Sequence, residues 1–168
     1  MGRVQKAHIE IQLATGRRGV PHARNLRQWA LAALPKKNSA KKHAPKNHSL
    51  CIRIVGAAES RKLNRQWRGK DKPTNVLSFS YSESLASSQL PVAGSLPLGD
   101  LAICAPIVAS EAQEQGKTLS AHWAHMVVHG VLHLLGYDHV KNRDAEQMEA
   151  HEIAILSHFG YQDPYVSR

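Results

Sequence analysis

A chain of 168 residues with 42% hydrophobic and 21% charged residues has the makeup of one globular domain, 1–168, carrying an inserted loop. Its 22 Lys and Arg against 13 Asp and Glu leave a net charge of +9, which suits a polyanionic partner or, more blandly, a basic surface kept for solubility. No apolar run is long enough to span a bilayer and Met1–Leu13 has no signal-peptide core, which excludes a membrane partner and makes the cytoplasm the expected location.

In chain order, His8–Leu13 alternates apolar and polar residues and predicts a strand. Gly16 and Gly19 break it, and Pro21 opens a helix whose apolar residues include Leu26, Trp29, Ala30, Ala33 and Leu34. The segment 36–48 then crowds Lys36, Lys37, Lys41, Lys42 and Lys46 among Pro, Asn and Ser. It reads as a basic loop insertion, either a solvated excursion, the favoured reading, or an RNA-grasping arm. Leu50–Val55 predicts a second strand, and Ala57–Arg68 a helix with Gly69 as its stop.

A polar turn with Pro73 leads into a strand over Val76–Tyr81, followed by a Ser/Gly/Pro-rich loop over Ser82–Pro97. Asp100–Cys104 predicts a further strand, and Pro106 opens a short helix closed by Gly116. Thr118 or Ser120 caps a longer helix running to about Leu135, and Asp144 with Gln147 has capping-box spacing for a last helix ending near Gly160. About four strands and five helices, interspersed, make the class mixed α and β. Cys51 and Cys104 lie in apolar runs and are read as buried free thiols of a reducing compartment.

The chemistry sits in His129-Gly-Val-Leu-His133-Leu-Leu-Gly136-Tyr-Asp-His139. Residues i and i+4 share one helical face, so His129 and His133 can aim at a common point. Gly136 can end the helix and let His139 return to that point. Three histidines with one open position are the donor set of a catalytic zinc site, with one Zn2+ per chain. The chain has 11 histidines, but random placement yields only about 0.05 such patterns. His125 pairs with His129 at the same spacing and is read as a neighbour of the site rather than a ligand, and His122 as an exposed or core histidine. The spacing also occurs in metzincin-type zinc proteases, which place Glu directly after the first histidine as general base. Here that residue is Gly130, so simple proteolysis is disfavoured, while three neutral ligands leave the full metal charge for an anionic substrate.

These residues resemble the YbeY endoribonucleases. The resemblance rests on His129–His139, on Trp67-Arg68-Gly69-Lys70-Asp71-Lys72-Pro73-Thr74-Asn75-Val76-Leu77-Ser78-Phe79, and on Gly99-Asp100-Leu101 as a turn into the last strand. It implies an α+β fold with a mixed four-stranded sheet and a zincin-like metal helix. It implies zinc-dependent cleavage of single-stranded RNA, acting on ribosomal RNA of the small ribosomal subunit in 3′-end maturation and ribosome quality control. The family's ligands fall on His129, His133 and His139, and its functional arginine on Arg68. The 36–48 insertion looks longer than the family's connection there.

In that light Arg68 is expected to place its fork on phosphate oxygens; without it, a surface arginine complementing a helix end would suffice. Asp138 is equally an imidazole-orienting group or a turn residue, and Lys70 and Lys72 could draw in an RNA backbone. Trp67 and Tyr137 could stack bases but, beside apolar residues, are expected in the core. The competing functions are a zinc-dependent amide or ester hydrolase and a noncatalytic RNA-binding module with structural zinc.

Overall fold

The computed structural model describes residues 7–35, 48–81, 96–137 and 142–166. Its elements run β1 (His8–Leu13), α1 (Ala23–Ala33), β2 (His48–Val55), α2 (Ala57–Arg68), β3 (Val76–Ser80), β4 (Leu96–Cys104), α3 (Ala105–Glu114), α4 (Leu119–Leu134) and α5 (Asn142–His158). The sheet order is β1-β2-β4-β3. β1 and β4 flank β2 in parallel, and β3 is antiparallel to β4. Among the described residues the fold is therefore α+β with five helices and a mixed four-stranded sheet, as expected from the resemblance.

β2 and β4 are central because they can be buried. Leu50, Ile52 and Ile54 alternate along β2, Leu101 and Ile103 along β4, and all five are core residues. Full burial of each such side chain contributes about 1.5–3 kcal/mol. α4 is the other half of the core. It packs on β3, β4, α1, α3 and α5, and Trp123, Val127, Val128 and Val131 on it are sealed from solvent. Thr118 starts α4 by accepting a hydrogen bond from the Ala121 backbone N–H at 3.2 Å. Trp123 anchors it by donating its indole N–H to the Gly19 carbonyl at 2.9 Å.

Several boundaries differ from the sequence reading. β2 begins at His48, so the loop ends sooner than expected; His48 is 3% exposed, held by pairing opposite Leu96. β4 begins at Leu96, inside the expected loop, and Gly99-Asp100-Leu101 lies within the strand rather than in a turn. The reason is a bulge: Ser49 pairs with Pro97 and Leu50 with Gly99, so Leu98 is the extra residue. Pro97 is tolerated because the β3 pairing stops at Gly99, opposite Ser80. Tyr81 falls just outside β3. α5 starts at Asn142, which puts Asp144 in the first turn rather than at the cap. Lys36–Lys46 of the basic insertion lie outside the described residues. Cys104 is buried as expected, whereas Cys51 is only half-buried; both are free.

Candidate metal centre and groove

α4 carries a stripe of histidines because residues three and four apart share a face. His129 and His133 turn toward each other, Nε2 to Nε2, at 3.1 Å. They form part of the wall of an open groove of about 910 Å³, together with Arg68, Trp67, Phe79 and Tyr81. His139 and Asp138 lie outside the described residues. Of the residues singled out from the sequence, the fold thus brings His129, His133 and Arg68 to one groove.

Arg68 arrives there because the end of α2 is tied down. Gly69 adopts φ +69 and caps the helix through its N–H to the Arg65 carbonyl at 3.1 Å. Ser60 and Asn64, one turn apart on the buried face of α2, hold the following turn: Ser60 Oγ donates to the Thr74 carbonyl at 2.9 Å and Asn64 Nδ2 to the Lys72 carbonyl at 2.7 Å. Outside, Arg61 grips Asp71 with two hydrogen bonds of 2.8 and 2.7 Å. Trp67 is not in the core as expected: on the last turn of α2 it lines the open groove, is 62% exposed and meets Phe79 edge-on, with centroids 5.7 Å apart. Tyr137 is partly buried against the core, as expected.

Gly130 is where it is for steric reasons. A Cβ there would lie 2.9 Å from both Leu101 methyls and 3.3 Å from Val76 Cγ2. The position that carries a catalytic Glu in zincin proteases is here pressed onto the sheet, where a side chain would push against the Leu101 methyls.

Behind the groove, α5 presents Glu152, which is 0% exposed. His129 Nδ1 lies 2.5 Å from Glu152 Oε1, and His125 Nε2 lies 3.3 Å from Oε2. The Tyr165 hydroxyl donates a short hydrogen bond to the same Oε2. Burial pushes the Glu152 pKa up, but hydrogen bonds from His125, His129 and Tyr165 outweigh it and hold the carboxyl at about 2, ionised. Burial and the Glu152 carboxylate push the Tyr165 phenol far up, so it stays a donor. His122, the next histidine of the stripe, is buried and 2.7 Å from Glu111 Oε2. His125, His129 and Glu152, with ligand atoms within 4.8 Å of one another, are a group that could hold a metal ion. His125 is thus a neighbour of His129 bound to the same carboxylate. Burial and the nearby Asp100 raise the Cys51 thiol to about 11, which makes it a poor nucleophile.

Sequence reasoning missed Glu152 and Tyr165. Glu152 had a signal: it interrupts the apolar stripe Met148, Glu152, Leu156 at i+4 spacing, and all three are buried. A charge on a buried stripe needs partners. Tyr165 had none, since it is placed only by the fold.

Sheet, buried helix and histidine–carboxylate cluster define an α+β protein with a candidate metal centre beside an open groove. The sequence model of the family described as endoribonuclease YbeY matches residues 10–160. An endoribonuclease YbeY of Chromohalobacter salexigens is 49% identical over 156 residues, covering 93% of this chain and 94% of that protein. The solution structure of TM1509 from Thermotoga maritima aligns over 94% of this chain and 99% of that one, with 23% identity and a TM-score of 0.49. The chain belongs to the endoribonuclease YbeY family.

Proposed function

We propose that this chain is a metal-dependent endoribonuclease acting on single-stranded RNA, with one zinc ion held by His129, His133 and His139 and with Arg68 as its catalytic arginine. The observation that supports this most is the 3.1 Å approach of the two Nε2 atoms in the groove that Arg68 also lines. Two imidazole nitrogens each about 2.0–2.1 Å from one tetrahedral zinc stand about 3.3 Å apart, so the pair fits the ion. The His125, His129 and Glu152 group fits less well, because Glu152 is sealed from solvent and both its oxygens already accept hydrogen bonds.

Zinc in this site supplies a Lewis acid and makes water more acidic, with a pKa near about 7. The chain's own residues supply the rest. Arg68 binds phosphate oxygens with its planar fork and balances the charge gained in the transition state. Trp67 and Phe79 offer aromatic faces to bases that a duplex would keep stacked, which favours single strands. The net charge of +9 draws in the polyanion. A peptide substrate is disfavoured, because Gly130 stands where the usual carboxylate base would be. Among the described residues no helix is long and apolar enough to cross a membrane. The finer reading, on the family's precedent, is cytoplasmic maturation of small-subunit ribosomal RNA at its 3′ end and ribosome quality control.

The test compares single- and double-stranded RNA of one sequence as substrates, with metal content measured on the same preparations. His133→Ala is expected to lose both metal and cleavage. Arg68→Ala is expected to keep the metal and lose about 10²–10³-fold in kcat. A wild-type protein that binds zinc and RNA yet cuts neither strand form would sink the enzymatic reading.

A further inference from the structure

We propose that Glu152 is the positioning residue for His129, and that the segment following α5 keeps it in place through Tyr165. This rests on reading His129 as a metal ligand. The hydrogen bond from His129 Nδ1 to Glu152 Oε1, 2.5 Å long, does two things. It fixes the ring about its Cβ–Cγ bond, and with Nε2 turned to His133 it leaves Nδ1 as the nitrogen that donates to the carboxylate. The lone pair is then left on Nε2, the atom that faces His133 at 3.1 Å. A ring turned over, or protonated at Nε2, would present no donor to the ion.

Glu152 in turn is held from its other oxygen. The Tyr165 hydroxyl and His125 Nε2 both lie at Oε2, so the carboxylate cannot rotate without losing its partners. Tyr165 is not there by chance contact. Lys117 Nζ donates to the Pro164 carbonyl at 2.6 Å, the Tyr165 N–H donates to Asp163 Oδ1 at 2.8 Å, and Tyr161 meets Ser120 Oγ at 2.7 Å. Two of these bonds tie the segment to the start of α4 and its preceding turn. Tyr165 reaches across to the middle of that helix. The chain tightens its own metal ligand with residues some distance from the motif.

The experiment uses the full chain and two readouts. Zinc affinity is measured by competition with a chromophoric chelator for wild type, Glu152→Gln, Tyr165→Phe and His133→Ala. The tautomer of His129 is read in the metal-free protein from its imidazole ¹⁵N shifts. Glu152→Gln is expected to weaken zinc binding about 10–100-fold and to shift His129 away from the pure Nδ1–H form. Tyr165→Phe removes a single hydroxyl from the outside of the carboxylate, leaves the fold intact and is expected to weaken zinc about 3–10-fold. Unchanged affinity and tautomer in both variants would overturn the proposal. Zinc binding that survives His133→Ala but vanishes in Glu152→Gln overturns it differently, by making Glu152 a ligand itself. Wild type that binds no zinc while His129 is a pure Nδ1–H tautomer defeats the metal reading and leaves the Glu152–His129 hold standing.

Discussion

Trp67 is exposed and His48 is buried, and each yields a prediction. Trp67, on the last turn of α2, lines the open groove. Removing a stacking aromatic loses about 1–3 kcal/mol per base. Trp67→Ala is therefore expected to raise KM for single-stranded RNA about tenfold with little change in kcat, measured in steady-state cleavage. His48 is buried, with neither ring nitrogen hydrogen-bonded among the described residues, and burial lowers its pKa. Burial also lowers that of His122, against the opposing hydrogen bond that His122 makes to the Glu111 carboxylate. A lowered histidine pKa means the unfolded chain takes up its proton first as pH falls. Stability is thus full above the unfolded value near about 6.5 and declines below it until the folded pKa is passed. Each such group contributes at most about 1.4 kcal/mol per pH unit in that window. His48→Leu should flatten the decline seen by urea unfolding between about pH 7 and about pH 5, and should raise stability at neutral pH by about 1 kcal/mol. An unchanged slope would show that His48 does not resist protonation.

At the scale of elements, the site depends on how closely α4 can lie on β3 and β4. Gly99 takes φ +143, and a Cβ there would meet the Phe79 carbonyl oxygen at 2.0 Å and Leu134 Cδ2 at 2.8 Å. The clash is with backbone, which cannot move without opening the β3–β4 ladder. Gly99→Ala is expected to cost roughly 3 kcal/mol or more. At Gly130 the obstacle is the two methyls of a buried leucine. Overpacking there costs about 1–3 kcal/mol, and the better helix propensity of Ala returns about 1 kcal/mol. Gly130→Ala should therefore cost clearly less than Gly99→Ala in paired denaturant titrations; the reverse order would mean that the helix–sheet gap, not the bulge, is the tight point.

For the molecule as a whole, charge and core make separate predictions. With a net charge of +9, single-stranded RNA binding should weaken linearly in log affinity against log salt, with a slope of about −0.7 per phosphate neutralised. A flat dependence would remove electrostatics from the proposed recognition. The single-domain reading of 1–168 predicts one unfolding transition, coincident by tryptophan fluorescence and far-ultraviolet circular dichroism. Two separated transitions would divide the chain.

Periodicity and breakers alone placed β1, α2 and the long histidine helix, because a strand's alternation, a glycine stop and an i+4 stripe are properties of neighbouring residues. The pairing of His129 with His133 is of the same kind. Whatever depended on a distant partner was not legible. The course of β4 is decided by a bulge against β2, the exposure of Trp67 by the open groove beside the end of α2, and the tight flank at Gly130 by Leu101 across the core. The Glu152–Tyr165 hold on His129 joins residues 23 and 13 positions apart. Local sequence fixes which face a side chain occupies; only the closed fold decides what stands opposite that face, and at this site the opposite residue sets the ring's direction.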